Sequence, residues 1–171
     1  MIVFIKRGPY DRRELIDLCF NRYIDCVGEK GGTSQTVAGV NNKPYFKDRP
    51  DVRFSISHSG DIVLLAMGRT EIGIDIEKIR PLDYKSLAER YYTGGEKQKA
   101  STLEGYFEVW TAKEAYLKLT AEGLGGIGKY DTTAPLSYNG EKTVFTPVDV
   151  FEGYKCTIAA PEQEIIFSEI F

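Results

Sequence analysis

The hexapeptide Ile72-Gly73-Ile74-Asp75-Ile76-Glu77 alternates apolar and polar residues without a break. A period of two marks a strand with one buried face. Ile72, Ile74 and Ile76 are expected to enter a core, while Gly73, Asp75 and Glu77 share the opposite face. At the usual strand rise the two acids stand about 6–7 Å apart at Cα. Like charges that close repel, most of all where the site is partly dry. A hard divalent cation relieves the repulsion, because Mg²⁺ takes one or two carboxylates and fills its other positions with water and substrate phosphate. A solvated strand face that carries two acids fits the same pattern. Gly73 has no side chain and leaves room for something to approach.

The chain has 171 residues, enough for one domain or two small lobes. With 42% hydrophobic and 27% charged residues it has an ordinary globular composition. A net charge of −3 argues against a general nucleic-acid binder. No apolar run approaches the roughly 20 residues of a membrane span, and Met1 to Tyr10 lacks the pattern of a signal peptide. Three cysteines, an odd number, argue for reduced thiols in the cytoplasm rather than a disulfide framework. Cys19 and Cys26 are spaced to share a helix face, where packing explains them better than zinc does.

In chain order, Met1–Ile5 reads as a strand and Asp11–Val27 as a helix, with Asp11 as its cap and Gly28 as its stop. Glu29–Thr36 reads as a loop. Asn41-Asn42-Lys43-Pro44 signals a turn that ends on Lys43. Val52–Ser57 alternates as a strand, with Phe54 and Ile56 on one side and Arg53, Ser55 and Ser57 on the other; His58-Ser59-Gly60 reads as the turn after it. Asp61–Met67 and Ile72–Glu77 follow, and the three are expected to form an antiparallel meander. Asp83–Tyr92 reads as a helix, broken by Thr93-Gly94-Gly95, with a further turn at Glu96–Ala100. Leu103–Leu119 is the longest helix. At 100° per residue, Leu103, Phe107, Trp110 and Leu117 share one side. Glu114 falls within that stripe, and Lys113 and Lys118 lie on its flanks. A carboxylate on a buried face must be neutralised, paired or bound to a metal. A salt bridge to one of those lysines and a metal site both satisfy that demand. Val144–Val148, Tyr154–Ala160 and Ile165–Phe171 read as a closing set of strands.

Four segments therefore stand in a fixed order: Asn42–Phe46 (NKPYF), Phe54–Gly60 (FSISHSG), Gly73–Glu77 (GIDIE) and Trp110–Lys118 (WTAKEAYLK). Together they resemble the 4′-phosphopantetheinyl transferase superfamily, and the Sfp-like type within it. Arg90–Gln98 resembles the family's link before the acid-bearing helix, and Glu96 takes its acidic position. The resemblance implies an α+β fold of two pseudo-symmetric α/β subdomains, each with an antiparallel three-stranded sheet, and one long helix. A shortened N-terminal subdomain would span 1–70, and a C-terminal subdomain carrying the metal site would span 71–171.

The implied reaction is Mg²⁺- or Mn²⁺-dependent transfer of phosphopantetheine from coenzyme A to a serine of an acyl or peptidyl carrier protein, with release of adenosine 3′,5′-bisphosphate. Asp75, Glu77 and Glu114 would hold the metal. Glu114 is the implied base, with Glu96 as a second candidate. Lys118 would stabilise the leaving phosphate, and Lys113 would support the acids or contact the cofactor. Lys43, Ser57 and His58 would bind the nucleotide end. Sfp-like members carry a longer N-terminal half whose basic residues grip coenzyme A; here Arg7, Arg12 and Arg13 are the candidates to replace them. The carrier would be drawn by a local patch, Lys43, Lys47 and Arg49 or Lys97 and Lys99. The expected state is a cytoplasmic monomer, with dimerisation through a shortened first lobe as the alternative. No nucleic acid or membrane partner is expected. Two other functions fit the residues: a non-catalytic module that binds carrier protein or coenzyme A, and another Mg²⁺-dependent phosphoryl-transfer enzyme such as a phosphodiesterase.

Overall fold

The computed structural model describes residues 1–149 and 151–170. Its first unit comprises β1 (Ile2–Arg7), α1 (Arg12–Cys26), the short strands β2 (Thr36–Ala38) and β3 (Pro44–Phe46), β4 (Arg53–Ser59) and β5 (Ile62–Gly68). The second comprises β6 (Gly73–Lys78), α2 (Tyr84–Tyr91), α3 (Gly94–Lys99), α4 (Leu103–Thr120), β7 (Leu136–Tyr138), β8 (Glu141–Pro147), β9 (Tyr154–Ala160) and β10 (Ile166–Ile170). Phe171, the last residue of the expected final strand, lies outside the described residues.

One sheet runs β10-β1-β5-β4 and another β6-β9-β8-β7, with β2 and β3 forming a separate ribbon. In both units a strand is followed by helical structure and then a hairpin, and the leading strand pairs with the hairpin's second strand: β1 with β5, and β6 with β9. The two-unit, α+β architecture implied by the family resemblance is present, with two departures. Each main sheet has four strands rather than three. The boundary at residue 70 is crossed, because β10 returns to lie parallel to β1.

The first sheet is covered on both faces. Ile2, Phe4, Phe54 and Leu65 pack under Leu15, Cys19, Phe20 and Tyr23 of α1. Val3, Ile5, Leu64 and Ala66 pack against Ile72, Ile74, Ile76 and Ile158 of the second sheet. Burial on both faces explains why β1 and β5 are near-continuous apolar runs. Asp11 caps α1, accepting from the backbone N–H groups of Arg13 and Glu14 at 2.8 and 2.9 Å. Cys26 ends that helix exposed while Cys19 is buried, so the expected shared packing face stops one turn short.

The expected three-strand meander breaks after its first hairpin. β4 and β5 pair, but β6 leaves for the second sheet and pairs with β9. Periodicity identified β6 as a strand and could not choose its partner. β6 still lies beside β4, through side chains rather than backbone. The N–H groups of Ile74, Ile76 and Lys78 donate to the hydroxyls of Ser55, Ser57 and Ser59 at 3.1, 3.3 and 3.0 Å. β4 extends through His58 and Ser59, which the sequence reading placed in a turn.

The space left by Gly73 is taken by the helix. A Cβ built there would lie 1.8 Å from the Ala115 carbonyl oxygen and 2.7 Å from the Leu119 nitrogen, both in the α4 backbone. Helix and strand therefore touch main chain to main chain, which brings Glu114 of α4 close to Asp75 of β6. Gly73→Ala should destabilise the fold by about 3 kcal/mol, the upper range for overpacking a tight site, measured as a drop in the urea unfolding midpoint with the slope unchanged.

Candidate active site

Where β4, the turn at Asn41–Lys43 and the C-terminal half of α4 converge, they enclose a cavity of about 440 Å³. Ser57, His58, Lys43, Glu114 and Lys118 line it, and so does Arg12 at the start of α1. Glu114 and Lys118 stand one helical turn apart and present to the same side. Asn41 and Asn42 hold positive φ angles of 51° and 62°, a conformation that asparagine tolerates better than most residues. Their tight turn delivers Lys43 to the cavity wall.

Asp75 sits beneath this wall, almost fully buried. Its Oδ1 accepts from the Ser57 hydroxyl at 2.8 Å and from the Lys118 ammonium at 2.7 Å. Lys118 also donates to Ser57 Oγ at 2.9 Å. The second oxygen, Oδ2, is buried with no hydrogen-bond partner, a costly arrangement for a carboxylate. Burial pushes the Asp75 pKa up against the pull of Lys118. Glu77 is half-buried; its Oε2 accepts from Ser59 Oγ at 3.2 Å and from Arg80 at 2.9 Å.

Glu114 has its pKa raised from 4.5 to about 7, first by burial and then by the negative charges of Asp75 and Glu77, while Lys118 and the Trp110 indole pull it down. Each acid therefore feels the others. The lysine salt bridge considered for Glu114 is made elsewhere: Lys118 pairs with Asp75, and Lys113 pairs with Glu96.

Among the described residues, no three His, Cys, Asp or Glu side chains are already grouped to hold a metal ion. The donor set still has the character a hard cation needs. It offers an orphaned buried oxygen on Asp75, a carboxyl on Glu114 whose ionisation desolvation and its acidic neighbours disfavour, and a half-buried carboxylate on Glu77. Asp75, Glu77 and Glu114 fit such an ion, with Lys118 supplying positive charge beside them.

Two expected site residues lie elsewhere. Glu96 is fully buried and accepts from the N–H and hydroxyl groups of both Thr93 and Thr132, at 2.8–3.2 Å. Lys113 is buried against it, with Nζ 2.7 Å from Glu96, donating at 2.5 Å to the Tyr130 carbonyl and lying over the Tyr92 ring. This closed pair ties α3 and the 130–132 segment to the side of α4 away from the cavity. Neither residue lines the cavity, so neither the second-base role for Glu96 nor the cofactor contact for Lys113 is supported by position. Lys113 and Glu114 are consecutive, and the 100° step between them takes Lys113 out of the site.

Lys43 reaches the cavity wall with its ammonium already engaged. It donates to Glu71 at 2.8 Å, to the Leu119 carbonyl at 2.9 Å and to the Ile72 carbonyl at 3.2 Å. Burial lowers its pKa. It ties the start of β6 to the end of α4, and a phosphate would have to displace one of these acceptors. Arg49 is likewise held by Glu29 and Asp51, and Lys97 by Glu89. Neither expected carrier patch is therefore a free run of positive charge. His58 is exposed, with the Tyr10 ring edge-on at 6.1 Å.

Ser59 escaped the sequence reading. Its signal was present: serines at 55, 57 and 59 repeat every second residue, in step with Gly73, Asp75 and Glu77.

A family model of the 4′-phosphopantetheinyl transferase superfamily matches residues 71–156. The chain is 40% identical over 113 residues to the 4′-phosphopantetheinyl transferase psf-1 of Bacillus pumilus, a match covering 63% of this chain and 48% of that protein. It is 36% identical over 88 residues to the transferase Sfp of Bacillus subtilis (strain 168), covering 48% and 39%. To the transferase AcpT of Salmonella typhimurium it is 36% identical over 109 residues, covering 59% and 57%. The chain spans about half the length of the curated relatives it matches. Among solved structures, the holo-[acyl-carrier-protein] synthase of Thermotoga maritima aligns over 55% of this chain and 64% of that one, at 18% identity and a TM-score of 0.39, too slight a likeness to build on.

Two outcomes follow from the geometry. Because the folded Glu114 pKa lies above its unfolded value, the folded state keeps a proton that the unfolded state loses, and stability falls as pH rises from about 4.5 through about 7. Urea unfolding across that range should show the decline, and Glu114→Gln should flatten it. Glu96→Ala leaves a buried ammonium unpaired and should cost about 3–5 kcal/mol, read as a large fall in melting temperature.

Proposed function

The chain belongs to the 4′-phosphopantetheinyl transferase superfamily, and from that premise we propose that it transfers the 4′-phosphopantetheine group of coenzyme A to a serine of an acyl or peptidyl carrier protein. The observation that carries the reading is Glu114, a carboxyl poised near neutrality in a cavity wall beside Lys118, with Asp75 behind it.

The serine oxygen attacks the phosphorus next to the pantetheine arm. The bond from that phosphorus to the bridging oxygen of the pyrophosphate breaks, and adenosine 3′,5′-bisphosphate leaves. The serine proton passes to Glu114, the carboxylate that lines the cavity one helical turn from Lys118. Lys118 presents a point charge to the leaving phosphate, and Ser57 holds Lys118 and Asp75 in place. His58 offers a donor to the nucleotide end, and Arg12, in the same wall, supplies a basic group to the phosphates; the Ser57 proton is already given to Asp75 and is not free for the nucleotide. Mg²⁺ or Mn²⁺ held by Asp75, Glu77 and Glu114 would supply Lewis acidity and a template for the pyrophosphate.

Among the described residues no helix is long and apolar enough to cross a membrane. The three free thiols support placing the protein in the cytoplasm. We favour a monomer, with dimerisation as the alternative. The half-length span relative to its relatives, and a Lys118 already paired with Asp75, favour one second reading: a module that binds coenzyme A or carrier protein without turnover.

Incubation with coenzyme A, Mg²⁺ and several apo carrier proteins should add one phosphopantetheine mass to at least one carrier. Glu114→Gln should slow that transfer at least 100-fold, within the range for loss of a general base. Coenzyme A binding with no mass gain on any carrier would establish the non-catalytic reading instead.

A further inference from the structure

The edge of β6 and the hydroxyls of β4 form a repeating device. Ser57 Oγ accepts from the N–H of Ile76 and donates to the carboxylate of the preceding residue, Asp75. Ser59 Oγ accepts from the N–H of Lys78 and donates to the carboxylate of the preceding residue, Glu77. Ser55 Oγ accepts from the N–H of Ile74, but the preceding residue is Gly73, so it meets no carboxylate there. The same rung thus occurs three times, twice with an acid and once without.

The backbone N–H occupies one lone pair of the hydroxyl and anchors its oxygen, leaving the proton for an acceptor nearby. In the two rungs that carry acids, the proton goes to a single carboxylate oxygen, Asp75 Oδ1 or Glu77 Oε2. In Asp75 this leaves Oδ2 buried and unpartnered. The hydroxyl therefore selects which oxygen remains available to a ligand. For Glu77 the other contact, Arg80, goes to the same Oε2. Arg80 is largely exposed, so its charge is screened and its hold is weak. That leaves the strand-anchored hydroxyl as the rigid constraint on Glu77.

We propose that Ser59 is a positioning residue for Glu77: held by the Lys78 N–H, its hydroxyl pins Oε2 and keeps Oε1 as the oxygen offered to a divalent cation. The inference rests on the function proposed above. Outer-shell hydrogen bonds of this kind set ligand orientation, and their loss costs about 10–100-fold in metal affinity.

Ser55 supplies the control, because it shares the structural half of the rung and lacks the acid. Mn²⁺ binding should be measured in the presence of coenzyme A, by electron paramagnetic resonance of the free ion, alongside thermal unfolding. The wild type, Ser55→Ala, Ser59→Ala and Ser59→Thr should be compared. Both alanine variants should lower the melting temperature, since each leaves a β6 N–H without its acceptor. Only Ser59→Ala should also weaken Mn²⁺ binding, by about tenfold or more, and Ser59→Thr, which keeps a hydroxyl, should restore it. Equal Mn²⁺ affinities for the Ser55→Ala and Ser59→Ala variants would overturn the proposal, as would weak binding that Ser59→Thr does not rescue. A wild type that binds no Mn²⁺ would overturn the metal-dependent function itself, and the positioning role with it.

Discussion

Three serine hydroxyls stand where a neighbouring strand would otherwise be. β6 carries the acids and has β9 on one edge; on the other, the buried N–H groups of Ile74 and Ile76 would lack acceptors if β4 did not supply oxygen from side chains, and the exposed N–H of Lys78 is held the same way. A lost acceptor in such a place costs about 1–3 kcal/mol per donor. A real strand would satisfy the same N–H groups, but it would bring no hydroxyl proton to Asp75 and Glu77. The junction between the two units and the floor of the site are thus made of the same atoms, which is why neither can be altered alone.

The long helix α4 then divides its duties by face. Its backbone rests on Gly73, close enough that no side chain fits between. One side carries Glu114 and Lys118 to the cavity, while Lys113 turns into a sealed pair with Glu96. Thr111 meets Thr157 at 2.8 Å, and Glu108 holds Lys155 at 2.7 Å, so the helix is also fixed against β9. A helix anchored on several sides gives its carboxylate little freedom to escape its acidic neighbours. Burial first, and then the charges of those neighbours, raise the Glu114 pKa.

Much of this was legible in the residues. Alternation placed β4, β6 and β9 to within a residue or two, Asp11 and Gly28 bounded α1, and the apolar stripe located α4. The family resemblance drew Asp75, Glu114 and Lys118 into one site, and they lie together. Pairing was not legible. A period of two says which face a strand buries and is silent about which strand lies beside it, so β6 was assigned to the wrong neighbour and β10 was not linked to β1. The lysines failed for a different reason. Lys43, Lys113 and Lys118 are equally basic in sequence; what separates them is whether buried carbonyls and carboxylates have already claimed their protons, and those partners come from Glu71, Leu119, Tyr130 and Glu96, distant in the chain.

β10 runs alongside β1, joining residues such as Ile2 and Ile166 that are separated by nearly the whole described sequence. During synthesis on the ribosome, β1, β5 and β4 emerge early and can pair, yet the outer flank of β1 stays open until residues 166–170 leave the exit tunnel. The sheet that holds β1 therefore begins to pair long before β10 closes it. Until then the nascent chain carries an unpaired β1 edge beside Val3 and Ile5.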